Sequence, residues 1–423
     1  MEPEMPEEIL LMEVEQARQE ILAQMRTLEP EQVPLLEALG RTLAEEIAAG
    51  ADIPPFDNSA MDGYAVRAAD VADATLEQPV ALQVIATLAA GEAPGVAVQP
   101  QTAIRIMTGA PLPPGADAVV PFEDTDEGSA GAEHGRVRIA SAVRSGANVR
   151  QAGEDVRRGE VVLRPGTVLR PAEIGLLASL GRPRVAATRR PRVAVIATGD
   201  ELVDIDAPLG PGQIRNSNGY ANAAQVLRYG GTPLLLPIAR DTMTAVTARI
   251  EEGIARGADL FLTSGGVSVG DYDLVKRVLH DLGQIDFWRV RMQPGKPMAF
   301  GGIRGVPLIG LPGNPVSAMV VFEQFARPAI FKMLGRRRLR TPEIEATLLD
   351  DAKAYADRVR FLRAIVTVDV AGHWTARLTG PQGSGVLSSM VRANGLAIIP
   401  KHAGKVPAGT KVWVQMLEWP ETE

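Results

Sequence analysis

The chain contains no cysteine, which removes disulfides, thiolate metal sites and a cysteine nucleophile together. It has only four histidines, no two of them at metal-ligand spacing, and no Ser–His arrangement stands out. Aromatic residues make up 4% of the sequence, so its cores must be built from small aliphatic side chains. No stretch is long and apolar enough to span a bilayer, so no membrane partner is expected. The first residues, "MEPEMPEE", are acidic and lack the cationic region of a signal peptide, so a cytoplasmic location is expected. The net charge of −7 argues against a nucleic-acid surface.

What is present is a soluble, domain-forming composition. At 423 residues the chain has room for two to four domains. Leu10, Val14, Ala17, Ile21 and Met25 recur at helical spacing, which predicts a helix over 7–28. "VPLLEALGRTLAEEIAAG" reads as two short helical pieces ending near Gly50. "ADIPPFDNSAMDGYAV" then breaks all periodicity. Short strands punctuated by Gly and Pro follow over 64–185, including "VALQVIATL" and "RVRIASAV", with a short helix at "PAEIGLLASLG". From "RVAVIAT" onward the texture changes. The near-continuous apolar runs "RVAVIAT", "TPLLLPIA", "ADLFLTS" and "VPLIGLP" alternate with helical stretches near 219–229, 243–256 and 271–281. That alternation predicts βα units around a parallel sheet covered on both faces. Gly230-Gly231 should end the first of these helices, and Asn314 before Pro315 should cap a later one. "GRRRLRTP" (335–342) reads as a solvated basic linker, and the residues beyond it as a small antiparallel β domain.

Several short motifs carry chemistry. "TSGGVSVGDYD" (263–273) joins a strand to a helix start through a glycine loop. It is either a tight turn or a cradle whose N–H groups bind phosphate. "VAVIATGDEL" repeats the design and ends in Asp200 and Glu201; "LLLPIARD" delivers Asp241 after the next strand. With Asp273, three neighbouring strands would each place an acid at the same end, where open α/β sheets bind ligands. Three such acids favour a hard cation such as Mg²⁺, which takes a few carboxylates plus substrate phosphates. Lys296 sits in a Pro-Gly-Lys-Pro turn that would aim its ammonium; the strand spacing places Arg289, Arg291 and Gln293 on one face beside it. "GLPGNPVSAMVVF" offers Ser317 at a helix start.

Taken together, "PPFDNSAMDGYA", "RIMTGAPLPPGADAVV", "GANVRQAGEDV", "VAVIATGDEL", "TSGGVSVGDYD", "PGKPMAFG" and "GLPGNPVSA" resemble the molybdopterin molybdenumtransferase family, which comprises the MoeA proteins and the gephyrin E domain. The resemblance runs over essentially the whole chain. It implies a multidomain α/β and β protein. Its central three-layer α/β/α domain (186–336) would resemble molybdopterin adenylyltransferase, and the helix at 7–28 would pack on it. A linking β-rich domain would take 29–50 and 143–185, an inserted β-rich domain 51–142, and a small β-barrel-like domain 341–423.

The implied reaction inserts molybdenum from molybdate into adenylylated molybdopterin with Mg²⁺, releases AMP and forms molybdenum cofactor. The implied assembly is a homodimer whose cleft is completed by the partner subunit's β-rich domain, with onward transfer to molybdenum enzymes. The family's catalytic positions match Asp62, Thr108, Asp155, Glu201, Asp241, Asp273 and Lys296. Glu201, Asp241 and Asp273 are the expected metal ligands. Ser264, Gly265, Gly266, Ser268, Ser317, Arg363 and Ser384 are the expected substrate-binding residues. Where the family has a first lysine before Pro-Gly-Lys-Pro, this chain has Gln293, which supplies no charge to an oxyanion; Arg291 would be the compensating cation. The alternatives are a non-catalytic pterin-binding scaffold and an insertase that uses tungstate.

Overall fold

The computed structural model describes residues 10–127, 135–265, 283–402 and 404–420. At its centre is a seven-stranded sheet, ordered Leu10–Met12, Gly283–Val290, Pro297–Ile303, Val306–Leu311, Leu260–Ser264, Arg192–Ala197 and Thr232–Leu235. The last four of these are mutually parallel, as the apolar runs predict. Pro297–Ile303 runs against both of its neighbours, so the sheet is mixed. Burial explains why these strands read as continuous hydrophobic sequence. Val193 and Val195 enter one core, while Ala194 and Ile196 enter the core on the opposite face. The helices Ser217–Arg228 and Met243–Ala255 connect successive parallel strands. The third expected helix, at 271–281, lies outside the described residues.

Two expectations need correction. The helix expected over 7–28 spans Val14–Gln24 only. Leu10–Met12 is instead an edge strand parallel to Trp288–Val290. Met25 and Leu28 are buried on extended chain beyond the helix, so their apolar spacing serves packing rather than helical continuation. The two helical pieces expected before Gly50 are also absent. Pro30–Pro34 pairs antiparallel with Arg184–Thr188, and only Leu36–Ala38 makes a single 3₁₀ turn. Here strand pairing between segments about 150 residues apart in the chain overrides helix propensity.

A five-stranded sheet holds Ala118–Pro121, Gly63–Val66, Thr102–Ile106, Val80–Leu88 and Arg136–Ile139, in that order. The C-terminal strands Val359–Val368, Trp374–Leu378, Glu343–Leu348, Lys411–Met416 and Gly395–Ile399 pair in a ring, because the last also pairs with the first. This closed five-stranded barrel leaves no open edge among those strands. Met292–Gln293 adds to it in parallel beside Val359–Arg360 and so ties the barrel to the central sheet.

Candidate active site

The parallel strands end together. Past Ala197, Thr198 bridges to Ala239, and its N–H donates to Ser264 O at 3.0 Å. Gly265 has φ +96°, and a Cβ there would meet Thr198 O at 2.6 Å. The glycine is therefore required by close backbone approach as well as by its conformation. The hydroxyls of Thr198, Thr263 and Ser264 are buried and have no hydrogen-bond partner among the described residues. Gly266, Ser268 and Asp273, the rest of the expected loop site, lie outside those residues.

Two acidic loops meet beside this point. Asp241 N–H donates to Asp200 Oδ1 at 3.2 Å, and Arg240 Nη1 donates to Asp200 O at 2.6 Å. The Glu201 carboxylate folds over Gly199, where a Cβ would meet its carboxyl carbon at 2.7 Å. Asp200 and Glu201 are exposed, and Asp241 is half-buried. No group of three metal-binding side chains forms among the described residues. Mg²⁺ fits such an edge nevertheless, because it takes one or two carboxylates and draws its remaining ligands from phosphate and water.

A second cluster forms where the barrel docks. The turn after Met292–Gln293 carries Gly295 at φ +99°, packed against Val321 and 3.7 Å from Ser317 O as a Cβ would measure it. This seats the half-buried Lys296 beside the helix Pro315–Val321. Among the described residues Lys296 makes no ion pair, and the nearby Asp357 is held by Arg358 at 2.7 Å. Asn314 does occupy the cap position of that helix, but its side chain makes no capping bond. The Val316 N–H instead donates to Ser384 O at 3.0 Å, so a barrel loop satisfies a free helix-start donor. Ser317, buried on the first turn, and Ser384 are thereby brought together.

Arg363 is fully buried rather than presented at a surface. Its Nε donates to Ser389 Oγ at 3.0 Å and its Nη2 to Gly383 O at 3.0 Å, while Nη1 is buried without a partner. Burial, then the charge of Arg360, lowers its pKa to about 10. Arg363 thus organises the loop that carries Ser384. Ser389 and Gln382, which support it, were not singled out by sequence. The signal available for them was the small polar run "PQGSGVLSSM".

Around Gln293 the expected cationic face does not form. Arg291 sits at a break between two strands and pairs with Glu13 at 3.2 Å, and Lys401 pairs with the same carboxylate. Gln293 Oε1 is buried without a partner.

The third cluster lies in the β-rich region. Segment 53–62 is stitched on one side to 107–112 and on the other to 148–156. The stitches include Ser59 N–H to Ala110 O at 3.0 Å and Ala60 N–H to Asn148 O at 2.9 Å. Three separate motifs so become one surface. Asp62 Oδ1 accepts from Thr108 N–H at 2.7 Å and from Thr108 Oγ1 at 2.8 Å. Those two donors, the backbone one first, hold its carboxyl below the usual range, so it stays ionised. Asp155 is exposed on the same surface, its N–H bonded to Ile53 O at 3.1 Å. The described hydrogen bonds of Asp62, Thr108 and Asp155 all stay within this region.

Comparison with known proteins follows the same divisions. A model of the MoeA N-terminal region (domains I and II) matches residues 12–181. One of a probable molybdopterin-binding domain matches 194–332, and one of the MoeA C-terminal region (domain IV) matches 345–417. The chain is 40% identical over 406 residues to molybdopterin molybdenumtransferase 2 of Mycobacterium tuberculosis, covering 94% of this chain and 98% of that protein. It is 39% identical over 390 residues to the molybdopterin molybdenumtransferase of a Nostoc species, covering 91% and 88%. The solved structure of the molybdopterin biosynthesis MoeA protein from Pyrococcus horikoshii superposes with a TM-score of 0.81 at 31% identity, over 96% of this chain and all of that one.

Proposed function

The chain belongs to the molybdopterin molybdenumtransferase family, and from that premise we propose how its own residues carry out molybdenum insertion in molybdenum-cofactor biosynthesis. The observation that carries the reading is that two clusters lie at the same end of the central sheet. One is acidic (Asp200, Glu201, Asp241); the other is the junction of Lys296, Ser317 and Ser384.

The acidic edge would hold Mg²⁺ through Asp241 and Glu201, with Asp273, outside the described residues, as the third expected ligand. When bound, the ion supplies charge neutralisation at a phosphoanhydride. Ser264 and the backbone around Gly265 bind phosphate oxygens of adenylylated molybdopterin. The Lys296 ammonium, which makes no ion pair among the described residues, attracts molybdate, a dianionic substrate. Ser317 and Ser384 orient it with hydroxyl donors. A molybdate oxygen attacks the pterin-side phosphorus and AMP departs with the bridging oxygen; the two dithiolene sulfurs then bind molybdenum as their protons leave with one molybdate oxygen as water, so no protein nucleophile is required. That economy suits a chain without cysteine. Asp62, Thr108 and Asp155, which share one surface of the β-rich region, act from the other side of the cleft in a homodimer.

The test is purified protein with adenylylated molybdopterin, Mg²⁺ and molybdate, with AMP followed by chromatography. Release should require molybdate and fall at least tenfold in Asp241→Ala. Molybdate-independent release, or full activity in that variant, would sink the assignment. Replacing molybdate by tungstate in the same assay distinguishes the two oxyanions.

A further inference from the structure

A cleft of about 690 Å³ opens where the linker to the barrel crosses the linking β-rich region. It shares no lining residue with the candidate active site. Six arginines line it (Arg170, Arg327, Arg336, Arg337, Arg338 and Arg340) against a single carboxylate, Glu173. Three of them are compensated. Arg170 pairs with Glu173 at 2.6 Å, Arg340 with Glu15 at 2.8 Å, and Arg327 with Glu323 at 3.9 Å. Among the described residues, Arg336, Arg337 and Arg338 have no carboxylate partner. In a chain of net charge −7 this is a local inversion, not a general basic surface.

The walls are fixed in place. Gly166 has φ +88°, and a Cβ there would meet Arg337 Cγ at 3.0 Å, so the linker lies directly on that turn. Arg327 Nη1 donates to Thr341 Oγ1 at 2.9 Å and to Leu339 O at 3.2 Å, pinning the linker's far end. Arg337, Arg338 and Arg340 are exposed, as the composition suggests, but Arg336 is half-buried and the linker is anchored at both ends.

Arg336 is the least satisfied group. Its guanidinium lies over the Phe331 ring at 4.1 Å, and that of Arg327 lies over the same ring at 4.4 Å. Its Nε is buried without a hydrogen-bond partner. Burial, then the charge of Arg327, lowers its pKa to about 10. Two partly desolvated like charges thus share one ring. An anion in the cleft would fill the open donor and offset the repulsion. The volume falls in the small-ligand range of roughly 300–1,000 Å³. Guanidinium forks match phosphate oxygens, and three uncompensated charges match a chain of two or three phosphates.

We propose that this cleft binds a small oligophosphate, free or as the phosphate end of a nucleotide, through Arg336, Arg337 and Arg338.

The test is calorimetric titration of the full chain with tripolyphosphate at low salt, accompanied by hydrogen exchange. Saturable one-to-one binding is expected, with slowed exchange over 335–341. Arg336→Gln should weaken it at least tenfold. The exposed substitutions Arg337→Gln and Arg338→Gln should each weaken it several-fold, which keeps the test decisive if Arg336→Gln misfolds. Lys296→Ala should bind like wild type. Equal affinity for ATP and tripolyphosphate identifies the phosphate chain as the recognised group, and tighter ATP binding identifies a nucleotide. The proposal is overturned by absent saturable binding, by affinity unchanged in the arginine variants, or by binding lost in Lys296→Ala. Tighter binding of single-stranded RNA than of either small ligand also overturns it.

Discussion

Gly295→Ala should damage both stability and catalysis, through two costs that can be separated. At φ +99° any side chain is strained, by about 1–2 kcal/mol. The added Cβ would also stand closer than 3.0 Å to Val321 Cγ2, a separation real Cβ atoms essentially never show. Val321 is completely buried in the main core and is a stiff β-branched side chain, so it cannot swing aside. Overpacking of this kind costs about 1–3 kcal/mol, and the two terms together come to about 2–5 kcal/mol. Relief by backbone movement would displace the neighbouring Lys296, and a shift of about 1 Å at a positioning group can cost about 100-fold in rate. Val321→Ala alone opens space and should cost about 2 kcal/mol from two lost methyl groups and the cavity they leave. Combined with Gly295→Ala, it should remove the overpacking, leaving the pair less destabilised than the sum by about 1–3 kcal/mol. The assay is hydrogen exchange of the Leu260–Ser264 amides, which reports this core directly, alongside AMP release. Wild-type protection in Gly295→Ala, or strict additivity in the double variant, would refute the packing argument.

Other outcomes follow from the same geometry. Gln293→Lys restores a charge beside Lys296 and should lower the molybdate concentration for half-maximal AMP release; an unchanged dependence would make the glutamine irrelevant to oxyanion binding. Arg363→Lys loses the paired contacts to Ser389 and Gly383, each worth about 1.5–3 kcal/mol as charge-assisted bonds. The Val316 amide, held by Ser384 O, should then exchange faster, and unchanged protection would show that Arg363 does not position that loop. Glu323 is buried beside Tyr229, Gln225 and Arg327, and burial raises its carboxyl above the ordinary value of 4.5. The folded state then holds its proton more tightly than the unfolded one. This contribution to stability is therefore present below about pH 4.5 and lost as pH rises through the folded value. Glu323→Gln should remove that decline, seen as a stability difference between variant and wild type that grows with pH across this window and then levels off. A pH-independent difference would refute it.

The inner parallel strands were legible because they are buried on both faces, which gives runs such as the five consecutive apolar residues Val193–Ala197. Gly265 and Asp241 were legible because a strand end in such a sheet is a known place for ligands. Arg363 was readable as a position but not as a buried organiser of the 382–389 loop, because its burial depends on barrel closure 26 residues away at Ser389. Arg291 misled because strand alternation was assumed to continue through it, whereas the chain breaks there to leave one sheet and join another. Of the linker arginines only Arg336 departs from the solvated reading, because a run of like charges gives no hint that Phe331 lies beneath one of them.

By itself the sequence determined the sheet's four parallel strands, the absence of thiol chemistry and the motif set that marks the family, because periodicity and composition are local properties. The tertiary structure alone decided that Ser384 caps the helix bearing Ser317 and that Thr108 holds the Asp62 carboxyl below its usual range. It alone set the arginine run 336–338 against the Gly166 turn to make one cleft. Each of these depends on segments 46 or more residues apart meeting at hydrogen-bond or van der Waals distance, and no local pattern encodes where a distant donor will stand.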